Sequence, residues 1–283
     1  MFNLTILIAY KNIRLAMSEQ TARLSFEFFP PMEKSNNGKI IDAAKLCAQY
    51  QPSFFSVTFG ACGSNQDKTK DLVFDMNAQT TVPTAPHITC INTAKSDIDQ
   101  LLDSYKQKNI QNLVVLRGDK PNTPVKKGHF QYANELVQYI REKTGDDFNI
   151  GVAAYPEYHP EAQSPEQDLH HFIAKAKAGA DYAITQYFFN PDAYFFFVDS
   201  CLEKGVSIPI IPGIMPITNY KQLARFSKQC GADIPRWILE RLKSYDERGD
   251  MMSIREFGEQ VVSLMCETLL NNGAPGLHFY TLN

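Results

Sequence analysis

The chain has 283 residues, 44% of them hydrophobic, and its 28 Lys and Arg against 31 Asp and Glu leave a net charge of −3. Such a length suits one large α/β domain with a sizeable core. The near-balanced charge and the lack of a long basic run speak against a nucleic-acid surface and for small-molecule partners. Cys47, Cys62, Cys90, Cys201, Cys230 and Cys266 form no C-x-x-C pair, so neither a zinc site nor a disulfide framework is expected, and reduced thiols fit a cytoplasmic protein.

The opening MFNLTILIAY is apolar, but it lacks a positively charged start and is too short to span a bilayer, so no membrane partner is expected, and a weak signal-like apolar run stands as the alternative to a short upstream extension. Met17-Ser18-Glu19 reads as an alternative start, which makes residues 1–20 an extension and 21–283 a single domain. Strand candidates then follow in order: LSFEFF (24–29), FFSVTFGA (54–61), TAPHITC (84–90), NLVVLRGD (112–119), NIGVAAYP (149–156), YAITQYFF (182–189), PIIPGIMP (209–216) and LHFYTLN (277–283). Helical patterns lie between them, such as DIDQLLDSYKQKN (97–109), ANELVQYIREKTG (133–145) and AYFFFVDSCLEKG (193–205), closed by lysines and a Gly or Asn. Alternating strands and helices mean βαβ units, and eight of them predict a (β/α)8 TIM barrel. The irregular KPNTPVKKGHFQ (120–131), after the fourth strand, predicts a lid or binding loop.

Barrel enzymes place function at the C-terminal ends of the strands. Those ends carry Glu27, Thr58, His87, Arg117 with Asp119, Tyr155 with Glu157 and His159, and Gln186. Any one of them alone reads as an ordinary hydrogen-bonding residue, but the repetition on strand after strand does not. Glu27 stands out, because a carboxylate between Phe26 and Phe28, followed by Pro30 and Pro31, is costly to desolvate. Phe26, Phe28, Phe29 and the prolines predict an apolar pocket in which that carboxyl keeps its proton; a salt-bridged structural glutamate is the alternative. No G-x-G-x-x-G follows an early strand, so a dinucleotide would be held by the barrel loops. Arg117 and Lys175 offer cations for a pyrophosphate, although Lys175 and Asp168 on their own read as a solvated helix face.

SFEFFPP, SVTFGA, APHITC, LRGD, VAAYPEYHPEA, AITQYFF, PGIMPITNY and HFYTLN, in this order, resemble the bacterial methylenetetrahydrofolate reductase family, a family of flavin-dependent TIM barrels. The resemblance implies an oxidoreductase that reduces 5,10-methylenetetrahydrofolate to 5-methyltetrahydrofolate through FAD, recharged by NADH or NADPH in ping-pong turnover, and supplies methyl groups for methionine synthesis. It implies FAD contacts at Thr58, His87, Arg117, Gly118, Asp119, Ala133, Tyr155, His159, Ala162, Asp168 and Lys175, with Phe59, Ala61 and His171 beside them. It makes Glu27 the general acid for the departing N10, and it places Asp119 near both flavin and pterin, where its charge would stabilise the folate iminium. Gln186 is implied to bind folate and nicotinamide in turn, with Gln222 and Phe226 one turn apart on one helix face.

The pattern departs from the family at His171 and Ala174, where relatives carry an Asn and an Arg before the lysine. The last barrel helix, with a folate-contacting arginine, is expected to be missing after Asn283, and Leu4, Ile6, Leu7, Ile8 and Ile13 are candidates to cover the final strand instead. A homo-oligomer, dimer or tetramer, is expected from the family. The competing readings are a non-catalytic FAD- or folate-binding barrel and another flavin barrel oxidoreductase, such as a proline dehydrogenase.

Overall fold

The computed structural model describes residues 23–31, 33, 36–59, 66–91, 93–119 and 128–283. Its elements are β1 (Arg23–Phe28), α1 (Asn37–Ala48), β2 (Phe54–Val57), α2 (Gln66–Gln79), β3 (Thr84–Thr89), α3 (Lys95–Gln107), β4 (Asn112–Leu116), α4 (Ala133–Thr144), β5 (Asn149–Ala154), α5 (Pro165–Lys177), β6 (Tyr182–Thr185), α6 (Pro191–Glu203), β7 (Ile210–Ile211), β8 (Gly213–Ile214), α7 (Tyr220–Cys230), α8 (Arg236–Glu247), α9 (Met251–Asn271) and β9 (Gly276–Tyr280). The registered pairings are all parallel, and the hydrogen-bonded strand order is β7-β6-β5-β4-β3-β2-β1-β9-β8. The seventh predicted strand is split at Pro212 into β7 and β8, because proline has no N–H for the ladder. Alternating helices and a parallel sheet in chain order make this an α/β fold of the (β/α)8 TIM-barrel class. The extension at residues 1–20 lies outside the described residues.

The described residues divide between two compact units: Ala154–Ile173 and Ile184–Thr281 with Arg23, and Leu24–Ala153 with Ala174–Ala183 and Leu282–Asn283. In the second of these, the register decides which side chains share a face. Glu27 pairs with Ser56, Ser56 with Ala85, and His87 lies two residues further along β3 on that same face. Phe26, Phe28 and Phe55 occupy the opposite face, buried, with Phe28 and Phe55 edge to face at 5.4 Å. Each such buried ring stabilises the fold by roughly 1.5–3 kcal/mol.

In the other unit, α9 forms because Asp250 caps it, accepting from the Ser253 N–H at 3.0 Å, and because Ile254, Phe257, Val262, Met265 and Leu269 repeat at helical spacing and are buried. Among the described residues no helix is long and apolar enough to cross a membrane, and no His, Cys, Asp or Glu cluster is arranged to hold a metal. Cys47, Cys90, Cys201, Cys230 and Cys266 are all free thiols. Burial pushes Cys47 and Cys90 up to about 12, so they stay protonated and unreactive.

Gly213 sets a tight spot in β8. Its N–H donates to Thr185 Oγ1 at 2.9 Å, and a Cβ there would lie 2.2 Å from the Thr185 carbonyl oxygen. We expect Gly213→Ala to destabilise the protein by about 1–3 kcal/mol through overpacking, read as a lowered Tm. An unchanged Tm would show that β8 can shift at no cost.

Candidate functional site

Glu27 and His87 meet at the ends of β1 and β3. Glu27 Oε2 lies 3.3 Å from His87 Nε2, with side-chain exposures of 17% and 6%. The distance is that of an ion pair, yet Nε2 makes no hydrogen bond, because the geometry is wrong for one. Strand alternation corrects the expected pocket: Phe26 and Phe28 turn to the opposite face, and among the described residues Glu27 shares its own face with Ser56 and His87. Just beyond, Asn283 Oδ1 accepts from the Phe29 N–H at 3.1 Å and its Nδ2 donates to the Phe29 carbonyl at 2.7 Å.

The LRGD segment is pinned at the end of β4. Cys90 N–H donates to the Leu116 carbonyl and Ile91 N–H to the Arg117 carbonyl, each at 3.0 Å. Gly118 then takes φ +86, and a Cβ there would press on Ile91 Cγ2 at 2.9 Å, so only glycine makes this turn without strain. Arg117 is half-buried, its Nε donating to the Gly118 carbonyl at 3.3 Å, and Asp119 is exposed. Thr58, at the end of β2, donates its N–H to the Phe28 carbonyl, and Thr69 Oγ1 holds the Thr58 carbonyl at 2.9 Å; Phe59 beside it is half-buried. Ala133 is the buried first residue of α4, whose start is fixed by Glu135 accepting from Gln131 N–H at 2.7 Å. Ala61 lies outside the described residues. Lys175 is half-buried rather than solvated, because its Nζ donates to the Ala153 carbonyl at the end of β5.

A second group surrounds the Tyr155–Asp168 loop. The Tyr155 and His159 rings meet edge to face at 4.6 Å. His159 N–H donates to Asp168 Oδ2 at 3.0 Å, and its Nδ1 accepts from Glu161 N–H at 3.0 Å. Asp168 is therefore a loop anchor, held in place because SPEQ starts α5 well: Ser164 Oγ accepts from Gln167 N–H and Pro165 follows. Ala162 N–H closes the turn on the His159 carbonyl at 2.9 Å, while His171 is exposed.

Gln186 is half-buried after β6, its N–H on the Ala154 carbonyl at 2.8 Å and its Oε1 accepting from Tyr187 N–H at 3.0 Å. Gln222 and Phe226 are both half-buried on α7, where Asn219 caps the helix by accepting from Gln222 N–H at 2.9 Å. Arg225 sits over the Phe226 ring at 5.1 Å. Ser56, Asn283, Tyr187 and Ser227 escaped the sequence reading. For Ser56 the signal was present, since alternation in FFSV puts it on the face of Glu27.

The family model described as Methylenetetrahydrofolate reductase matches residues 12–283. A 5,10-methylenetetrahydrofolate reductase of Buchnera aphidicola subsp. Schizaphis graminum is 39% identical, covering 92% of this chain and 87% of its own. The Escherichia coli (strain K12) protein of that name is 35% identical over 96% and 90%. An Arabidopsis thaliana relative named Methylenetetrahydrofolate reductase (NADH) 1 is 38% identical, with 46% of its length covered by 93% of this chain. Among solved structures, a Clostridium thermocellum protein described as binding two copies of 5-methyl-5,6,7,8-tetrahydrofolic acid superposes with a TM-score of 0.57 over 99% of this chain and 93% of its own. At 16% identity it shows the fold alone.

The loop anchor can be tested directly. In Asp168→Ala the His159 amide should exchange with deuterium faster, while α5 beyond its first turn keeps its protection. Unchanged exchange at His159 would show that the loop is held by other contacts.

Proposed function

Because the chain belongs to the methylenetetrahydrofolate reductase family, we propose that it reduces 5,10-methylenetetrahydrofolate to 5-methyltetrahydrofolate with NAD(P)H as donor and bound FAD as intermediary. The observation that carries the reading is the match of nearly the whole chain to reductases of that name. The name of the Arabidopsis relative favours NADH as the donor.

Two features support a fit to FAD. His87 Nε2 is buried without a hydrogen bond, which suits a group that waits for a ligand, and Gly118 brings bare backbone to the end of β4. Thr58, Phe59, Ala61, His87, Arg117, Gly118, Asp119, Ala133 and Lys175 would hold the cofactor, as would Tyr155, His159, Ala162, Asp168 and His171. When bound, FAD supplies the hydride.

The chain's own part is acid catalysis and charge. Ring opening of the folate breaks the bond from the methylene carbon to N10, leaving the electron pair on N10 and an iminium at N5. Glu27, held by β1 on the face it shares with Ser56 and His87, delivers a proton from its carboxyl to N10. Asp119 lends its negative charge to the cationic iminium before the hydride reaches the methylene carbon. Gln186 donates to and accepts from the pterin edge, and Gln222 with Phe226 gives a polar contact and an aromatic wall. NAD⁺ leaves before folate enters, so turnover is ping-pong.

An anaerobic titration tests the reading. The purified protein should be yellow, bleach with NADH and recover its colour with methylenetetrahydrofolate; colourless protein, or flavin that folate fails to reoxidise, would refute it. In Asp119→Asn the flavin midpoint potential should rise, and folate reduction should slow more than NADH oxidation. A potential that stays put or falls removes Asp119 from the flavin.

A further inference from the structure

Glu157 belongs to the sequence's strand-end set, yet the reaction above gives it no task. It lies half-buried in the YPEYHP loop, and its Oε2 accepts from Asp233 N–H at 2.9 Å across 76 residues of chain. Burial raises the Glu157 carboxyl above its ordinary value, and the Asp233 N–H works against that by stabilising the charged form.

What the bond joins is specific. Asp233 follows the C-terminal end of α7, where Gly231 turns the chain at φ +77. A Cβ on Gly231 would come within 2.7 Å of Pro160 Cγ, so the helix end and the YPEYHP loop are in close contact. One turn earlier, Ser227 Oγ lies 3.1 Å from Tyr187 Oη, both side chains buried, and Tyr187 follows Gln186 directly. Between these ties is a shallow cleft lined by Tyr155, Glu157, Gln186, Tyr187 and Cys230 among others. Both ties act on the C-terminal half of α7 and the turn that follows it. That same helix presents Gln222 and Phe226, both half-buried.

We infer that Glu157 is a positioning residue for the folate: by clamping the end of α7 through Asp233 N–H, it sets where Gln222 and Phe226 stand relative to Gln186. The inference rests on the reductase reading above. The loop that carries Glu157 has independent anchors in the Tyr155–His159 ring contact and the His159–Asp168 hydrogen bond. Loss of the Glu157 clamp should therefore free the helix end and spare the loop.

The test compares the full-length native protein with Glu157→Ala and Glu157→Gln. Three readouts are taken: deuterium exchange of residues 220–233 without folate, NADH oxidation with a quinone as acceptor, and KM against kcat for methylenetetrahydrofolate. In Glu157→Ala we expect faster exchange at 220–233, unchanged quinone-linked turnover, and a folate KM raised about tenfold with kcat changed far less. Glu157→Gln keeps an acceptor oxygen and should recover part of both the protection and the KM. An unchanged KM in Glu157→Ala, or equal losses in the quinone-linked and folate reactions, would overturn the inference. If the native protein itself fails to use folate, the reductase reading falls and takes this inference with it, and the native control shows that without any variant.

Discussion

Side-chain alternation along β1, locked by parallel register to β2 and β3, is the constraint on which the rest depends. A strand cannot send Phe26, Glu27 and Phe28 to one face. The two rings go to the apolar face with Phe55, and Glu27 is left on the other with Ser56 and His87. A one-residue slip of β1 would bury the carboxylate among the rings and expel them from the core, a change comparable with the net stability of an ordinary domain. The apolar packing of Phe26 and Phe28 therefore holds Glu27 at its post 3.3 Å from His87. Stability and the proposed chemistry share one short strand.

The same logic shows what the sequence could and could not reveal. The strands were legible because each is a short apolar run closed by Gly, Pro or a polar residue, and the candidate site residues stand out because they cluster just past those runs. The company of Glu27 was misread because neighbours in sequence were taken for neighbours in space. Alternation places Phe26 and Phe28 behind the strand, and the true neighbour, His87, comes from 60 residues further along (87 − 27). Lys175 and Asp168 resembled a solvated helix face because their partners, the Ala153 carbonyl and the His159 N–H, are backbone groups that leave no mark in a sequence. The Glu157–Asp233 bond is invisible for the same reason, and so is the hold of Asn283 on Phe29. Long-range bonds to the main chain are what a one-dimensional reading loses.

The residues of the proposed function divide between two kinds. Glu27, His87 and the Arg117–Asp119 turn lie at the ends of neighbouring strands, where backbone ladders fix them. Tyr155, His159, Asp168, Gln186, Gln222 and Phe226 depend on loops and on one helix, held by single hydrogen bonds to the main chain or by ring contacts. Proton delivery tolerates little displacement, since a general acid must stand within hydrogen-bond reach of its target. Its place on a strand suits that demand.

The central claim is that Glu27 serves the folate and not the nicotinamide. Hydride transfer from NADH needs no proton at a leaving nitrogen, whereas folate ring opening does. Stopped-flow measurement of each half-reaction in Glu27→Gln separates the two. The account predicts flavin reduction by NADH within about tenfold of the native rate and flavin reoxidation by methylenetetrahydrofolate slowed by roughly 10²–10⁴, the usual contribution of a general acid. Equal slowing of both halves, or no slowing of either, would contradict it.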